Sequence, residues 1–353
     1  MKLNRLIRTG VVCAMSLALL AGCSGGGTTT APAAGSTAGS TEAASTEAGG
    51  ESVSGGREGG TALTFTTGGD QGTYYGFGGV IAGKVGETTS TTVTAITSGG
   101  SAANIEALQA GDAQIGFSQS DVLAYAYEGT RTFEETGAVT NFSIVADLYM
   151  EQVQIVTLDE SIKTVEDLRG KNVSIGAAGS GTYFNAVDVL SVYGMTENDI
   201  NPTYQSFGDS AEALQDGKID AAFIVAGAPT TAVTSLSTTK QVYLVSIDDA
   251  HIDQLISEYP YYSKNTIAAD AYGLSEDVST VAVGAVVIAN DEVSEDDIYN
   301  FCWGVYENID SITAAHDKGK ELDINFAASV TTVPYHPGAA AYYAEKGITV
   351  PSK

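Results

Sequence analysis

The feature that most restricts the fold of this chain is an echo between two distant stretches. Gly72-Thr73-Tyr74-Tyr75 follows an apolar run ending in Gly68-Gly69, and Gly181-Thr182-Tyr183-Phe184 follows a similar run ending in Gly176-Ala177-Ala178-Gly179. Downstream of the first, Glu106-Ala107-Leu108-Gln109 leads through Gly111 to Phe117. Downstream of the second, Glu212-Ala213-Leu214-Gln215 leads through Gly217 to Phe223, at nearly the same interval. A strand, glycine turn, helix and strand recurring at near-constant spacing describe two similar α/β lobes. In such sheets ligands collect where strands end and helices begin. The two helix starts therefore predict a cleft with a guest held between the lobes.

The periodicity predicts strands over Leu63–Thr67, Thr92–Ile96 and Ala113–Ser118, with helices over Tyr74–Val85, Ala102–Gln109 and from Asp121 to Tyr127. The second lobe repeats this, with strands over Asn172–Gly176 and Ile219–Val225 and helices over Thr182–Tyr193 and Ser210–Gln215. Alternation of the two types implies a mostly parallel sheet. Two long apolar stretches, Phe142–Leu158 and Val281–Ala289, read as crossings between lobes, which together would form a hinge. This places lobe I at residues 61–150 plus 285–353 and lobe II at 151–284. After Ser294 the chain reads as helical over Asp296–Asn308 and again around Ala314–Ala327, with Phe301, Trp303 and Tyr306 as packing aromatics. His336 reads as the cap of a helix starting at Pro337.

The N-terminus carries an export signal over residues 1–22, with Lys2, Arg5 and Arg8 flanking an apolar core from Val11 to Leu20 that is too short to span a bilayer. The core closes on Leu20-Ala21-Gly22-Cys23, which resembles the bacterial lipobox, so Cys23 would become a lipidated first residue. From Ser24 to Gly60 the chain is Gly, Ser, Thr, Ala and Glu and buries too little surface to offset its ordering entropy. Residues 23–60 thus read as a lipid-anchored tether, with a mean reach of roughly 30–35 Å. Cys302 is left without a partner, so no intramolecular disulfide is expected and a packed core must supply stability. A formal charge of −27 argues against a nucleic-acid partner.

Candidate ligand contacts lie at the turns Gly68–Thr73, Gly99–Ser101, Ser118–Asp121 and Gly179–Thr182, with Gly227-Ala228-Pro229 as a fifth. Each helix start leaves backbone N–H groups unpaired and carries about half a positive charge, so converging starts make an anion site. Beyond residue 60 the arginines are Arg131 and Arg169, and neither stands at one of these turns. A carboxylate would then be held by amides and by the hydroxyls of Thr73, Ser101, Ser180 and Thr182, with apolar contact from Tyr74 and Tyr183. Gln119 and Asp121 would orient an amino or hydroxyl group, or Asp121 would serve as a helix-start charge. No catalytic residue is expected. Ser180 lacks the glycines of a nucleophile elbow, the glycine-rich turn lacks the Gly-Lys-Ser/Thr ending of a phosphate loop, and His251, His316 and His336 are far apart. Neither cofactor nor metal is predicted.

Taken together, these motifs resemble the TAXI group of TRAP transporter solute receptors, across nearly all of residues 62 to 350. They are Gly69 through Gly78, Gly100-Ser101 with Asn104, Gln119-Ser120-Asp121, Leu168 through Gly176, Gly179-Ser180-Gly181-Thr182, Asp216-Gly217 through Phe223, and Tyr335-His336-Pro337-Gly338-Ala339. The resemblance implies a type II periplasmic-binding-protein fold, two α/β lobes with two hinge crossings and a central ligand cleft. It also implies a monomer that captures a small carboxylate such as glutamate, glutamine or 2-oxoglutarate and delivers it to TRAP membrane permease subunits without using ATP. Only the N-terminal lipid would touch the membrane. Ligand roles carry over to Thr73, Tyr74, Ser101, Asn104, Gln119, Ser120, Asp121, Ser180, Gly181, Thr182 and Tyr183, with Gly227 and Pro229 as weaker extensions. The chain departs from the pattern at Gly76, where the family often has proline. A sensory module feeding a membrane kinase and an ABC-type receptor would use the same cleft.

Overall fold

The computed structural model describes residues 55–353; the export signal, the lipidation site Cys23 and the tether up to residue 54 lie outside the described residues. The first half of the echo folds as β1 (Ala62–Thr66), α1 (Thr73–Thr88), β2 (Thr92–Ile96), α2 (Ser101–Ala110) and β3 (Ile115–Gln119), followed at once by α3 (Ser120–Glu128). After a long β4 (Phe142–Thr157), the order repeats as β5 (Asn172–Ser174), α4 (Gly181–Val192), β6 (Asn201–Thr203), α5 (Phe207–Gln215) and β7 (Ala221–Ala226). Next come α6 (Thr231–Ser237), β8 (Tyr243–Leu244), α7 (Asp249–Glu258), β9 (Ser263–Ile267) and β10 (Val278–Asn290). The chain closes with α8 (Glu295–Tyr306), α9 (Ile309–Ala315), α10 (Ile324–Ala327) and α11 (Pro337–Glu345). Among the described residues no helix is long and apolar enough to cross a membrane.

The strands form one sheet in the order β2-β1-β3-β10-β4-β7-β5-β6, with β8 added to β4 and β9 to β10. β1 lies parallel between β2 and β3, and β5 parallel between β6 and β7. Between these two arms run β10 and β4, antiparallel to each other and to the arm each one touches. They have 13 and 16 residues. At about 3.3 Å per residue, each reaches roughly 40–50 Å, enough to serve both arms. The two apolar stretches read as crossings are thus single strands that pair with one another. Both are buried along almost their whole length, which is why they read as near-continuous apolar runs without alternation. The ladder between them is interrupted at Ala285/Val286 and Val287/Ile288.

One core cluster joins Phe65, Phe77 and Phe117 of the first arm with Phe142 of β4, Phe301 of α8 and Tyr342 of α11; two others, around Leu190 and Phe223 and around Ile224 and Leu236, cover the second. α11 returns to lie against α8. Gly338 sits at that crossing, where a Cβ would collide with the Glu295 carbonyl oxygen. His336 caps α11 as expected: its Nδ1 accepts from the Gly338 amide at 3.2 Å, while its Nε2 lies 3.1 Å from the Val293 carbonyl. Burial lowers its pKa, in keeping with a neutral ring that donates through Nε2. His336→Ala should cost about 1 kcal/mol, a fall of roughly 2–4 °C in melting temperature by calorimetry.

Two local expectations are corrected. The segment around Ala314–Ala327 is not one helix, because His316 turns to extended backbone and its ring takes the Lys318 amide, opening a short 3₁₀ turn over Asp317–Glu321 before α10. Residues 55–60, read as tether, lie against α8. Arg57 pairs with Asp296 at 3.1 Å and stacks 4.1 Å over the Tyr299 ring, and its amide donates to Asn300 at 2.6 Å. Composition could not reveal this, since the docking is polar.

Candidate functional site

The two glycine turns of the echo face each other. α1 starts after Gly72 and α4 after Ser180, and neither start has a side-chain cap. Their first amides are therefore oriented donors with the positive end of a helix dipole behind them. α2 differs. The amides of Ala102 and Ala103 donate to the Gly179 carbonyl at 3.1 and 3.2 Å, so its start is capped by the opposite turn and not free for an anion. This corrects the expectation of converging free starts at Gly99–Ser101. Glycine is required on both sides of the contact, with Gly100 at φ 105° and Gly179 at φ 80°. Thr73 Oγ1 donates to the Gly227 carbonyl at 2.9 Å and the Ala232 amide to the Gln71 carbonyl at 3.1 Å, fastening the arms together.

Between the arms lies a cavity of about 80 Å³. That is room for on the order of half a dozen water-sized groups, a small molecule and not a polymer. Gly68, Gly69, Gly72, Thr73, Tyr74, Ser98–Ser101, Gln119 and Glu151 line one side, and Ala177, Ser180–Thr182, Gln205–Phe207, Val225 and Ala226 the other. Tyr74 lies flat on Phe117 with ring centres 4.4 Å apart, and Phe117 stacks on Phe65 at 4.9 Å, so the core props this wall. The Tyr74 hydroxyl donates to Glu151 Oε2 at 2.8 Å. Glu151 is 2% exposed, and burial pushes its pKa up to about 8. Gln119 Oε1 is buried without a partner. It points at Gly181, where a Cβ would collide with it.

Of the residues expected in the site, Thr73, Tyr74, Ser101, Gln119, Ser180, Gly181 and Thr182 line the cavity. Six stand apart from its wall. Asn104, one turn into α2, donates to the Thr67 and Phe117 carbonyls at 2.7 and 2.8 Å and so pins α2 to the ends of β1 and β3. Ser120 Oγ accepts the Gly284 amide of β10 at 3.0 Å. Asp121 accepts from Asn185 of α4 at 3.1 Å. Tyr183 turns outward, because adjacent helix positions diverge by about 100°; its hydroxyl reaches Glu197 at 3.1 Å, so it does not supply the expected apolar contact. Gly227 contributes its carbonyl to Thr73, and Pro229 follows a cis peptide bond from Ala228.

Glu151 was not foreseen, nor were Gln205, Ser206 and Phe207 at the start of α5. The signal for Glu151 was present: a carboxylate in the middle of an apolar run that must be buried on both faces needs a reason to be there. The arginines stand as expected, away from the cavity wall. Arg131 pairs with Asp188 of α4 at 2.8 Å, and Arg169 with Asp199 at 2.7 Å.

A small cleft between two repeated βαβαβ arms, carried on two long shared strands and faced by opposed helix starts, is the arrangement of the type II periplasmic-binding-protein fold. The chain belongs to the NMT1-like family, whose model matches residues 65–347. Among solved structures it is similar to the periplasmic aliphatic sulphonate binding protein SsuA from Escherichia coli (18% identity, covering 80% of this chain and 82% of that one, TM-score 0.40). It is also similar to the alkanesulfonate-binding protein SsuA from Xanthomonas axonopodis pv. citri (16%, 80% and 83%, 0.43) and to the GluR0 ligand-binding core from Nostoc punctiforme (16%, 73% and 99%, 0.42).

Proposed function

We propose that this protein is an extracytoplasmic receptor that captures a small carboxylate between two lobes and hands it to a TRAP-type membrane permease. Residues 61–150 with 285–353 form one lobe and 151–284 the other, and they close by flexing β4 and β10. The observation that carries this reading is the pair of uncapped helix starts, α1 and α4, opposed across a cavity of small-molecule size. Among the described residues no arginine lines that wall, and the hydroxyls of Thr73 and Ser180 are spent on the Gly227 and Ala177 carbonyls, so the free amides of α1 and α4, with the Thr182 hydroxyl, take the carboxylate. The export signal and Cys23 support an anchored position outside the cytoplasm, and the motif resemblance supports the TRAP partner. Among the described residues no arrangement of nucleophile and base speaks for an enzyme.

The test is thermal denaturation of the mature protein against a panel of amino acids, oxo acids and dicarboxylates. A ligand at a hundred times its Kd stabilises by about 2.7 kcal/mol, roughly 5–10 °C here. Gly181→Val, whose side chain would collide with Gln119 and crowd the cavity wall, should abolish that rise even where the unliganded variant still melts cooperatively. If no carboxylate raises the melting temperature, the receptor reading fails. Uptake that needs an ion gradient and not ATP, in vesicles carrying the permease, separates a TRAP partner from an ABC one.

A further inference from the structure

The cavity has two poles of opposite character, and a carboxylate guest answers only one of them. On one side stand the free amides of α1 and α4. On the other, β4 sets Glu151 into the wall, almost without solvent contact, and β3 adds Gln119 Oε1, an acceptor with no partner. Both groups want donors. The groups around Glu151 are the Tyr74 hydroxyl from α1, Gln119 from β3, Asp121 from α3, Tyr149 from its own strand, and Lys318. Lys318 is already committed: its ammonium bonds Glu321 at 2.5 Å, lies 5.5 Å over the Tyr149 ring, and is not part of the cavity wall. Tyr74 gives Glu151 one hydrogen bond to Oε2 and the Gln119 amide nitrogen leans on the same carboxyl, which leaves Gln119 Oε1 as the acceptor still unmet. A ketone oxygen or a second carboxylate would leave Gln119 Oε1 unpaired and set a further acceptor beside it, and would be repelled by Glu151 wherever that group is ionised. A primary ammonium fits, because it brings positive charge and three N–H donors to two acceptors.

We infer that the guest carries a protonated amine seated on Glu151 and Gln119 Oε1, so that the receptor selects α-amino acids over the 2-oxo acids and dicarboxylates of the same skeleton. This rests on the reading of the cleft as a carboxylate site, which supplies the other pole. The amine can pair only with the ionised form of Glu151. Burial keeps that group protonated up to about pH 8 in the unliganded protein, so binding expels a proton. Affinity for an amino acid should then rise up to about tenfold per pH unit as the pH climbs toward 8, since the ligand's own ammonium stays charged throughout.

Matched pairs test this by isothermal titration calorimetry on the mature protein: L-glutamate with 2-oxoglutarate and glutarate, and L-alanine with pyruvate. The expected result is at least a hundredfold preference for the amine-bearing member of a pair. Proton release should appear as a binding enthalpy that varies with the ionisation enthalpy of the buffer. Glu151→Gln, nearly the same shape, should erase both the preference and the proton release. The inference is overturned if the oxo acid or dicarboxylate binds as tightly as the amino acid, or if Glu151→Gln keeps the preference. Should that variant not fold, the preference and the buffer dependence of the unaltered protein decide the matter. Binding of none of these probes would sink the underlying receptor reading as well.

Discussion

Arg131→Ala should lower the melting temperature by on the order of 10 °C, while Arg169→Ala should barely move it. The two arginines look alike in sequence but differ in what they face. Arg131 reaches from the end of α3 to Asp188 on α4, whose side chain is fully buried, and its guanidinium lies over the rings of Tyr125 and Tyr259 at 5.2 and 5.4 Å. Removing one partner of a buried pair leaves an uncompensated carboxylate and costs about 3–5 kcal/mol, at roughly 2–4 °C per kcal/mol for a domain of this size. Burial already holds the Asp188 pKa up despite the arginine, so the loss should be larger at pH 8 than at pH 5. Arg169 and Asp199 are 47% and 34% exposed, and such a pair is worth about 0–1 kcal/mol. A second substitution refines the point. Among the described residues Arg131 is the one non-glycine residue in the left-handed region, at φ 57°. Arg131→Gly loses the same ion pair but relieves the backbone, so it should be milder than alanine by about 1 kcal/mol. Equal melting points for Arg131→Ala and Arg169→Ala would show that the inter-arm pair is not structural.

Between pH 6.5 and 8.5 the unliganded protein should lose stability, with Glu151 and Asp121 together contributing roughly 2–3 kcal/mol or 4–10 °C and buried Asp147, also raised, acting in the same direction. Glu151 and Asp121 are both raised by burial, to about 8 and about 7, and Asp121 is raised further by the negative charge of Asp188. In this window the folded protein holds protons that the unfolded chain has already released, so unfolding is favoured as the pH rises. The loss is complete once the pH has passed the folded values. Histidines act the other way. Burial lowers the pKa values of His316 and His336, which makes stability rise with pH, but only up to about the unperturbed histidine value. Starting at pH 6.5 isolates the acids. Melting curves of the unaltered protein, Glu151→Gln and Asp121→Asn should show the slope flattening in steps, with the larger step at Glu151 above pH 7. A slope unchanged in Glu151→Gln would mean that its carboxyl is solvated.

The repeat was legible because its signals are local. Gly72-Thr73 and Gly179 to Thr182 mark where a strand must turn into a helix, and the helices of both halves follow within a few residues of their expected bounds. His336 before Pro337 likewise announced its own cap. Short or edge elements were missed, such as β6 and β8, where two or three residues pair through the backbone without an apolar pattern. At the site, seven of the expected residues line the cavity, and they are those whose position follows from the turn itself. Asn104 and Tyr183 share α2 and α4 with cavity residues but lie on other faces, and Asp121 sits on α3, which turns away to meet α4; the face that meets the cleft is set by packing.

Chain-local patterns were therefore sufficient to establish the repeated strand, glycine turn and helix units of the two halves and the long apolar strands, because each depends on residues a few positions apart. Only the tertiary structure decided that the start of α2 is closed by the Gly179 carbonyl, that Arg131 binds the two arms together, and that the cavity has an acidic wall. Tyr74 and Glu151 are 77 positions apart, and no local rule relates them. They meet because β4 is inserted beside β10 at the centre of the sheet, and strand order in a sheet is settled by long-range burial.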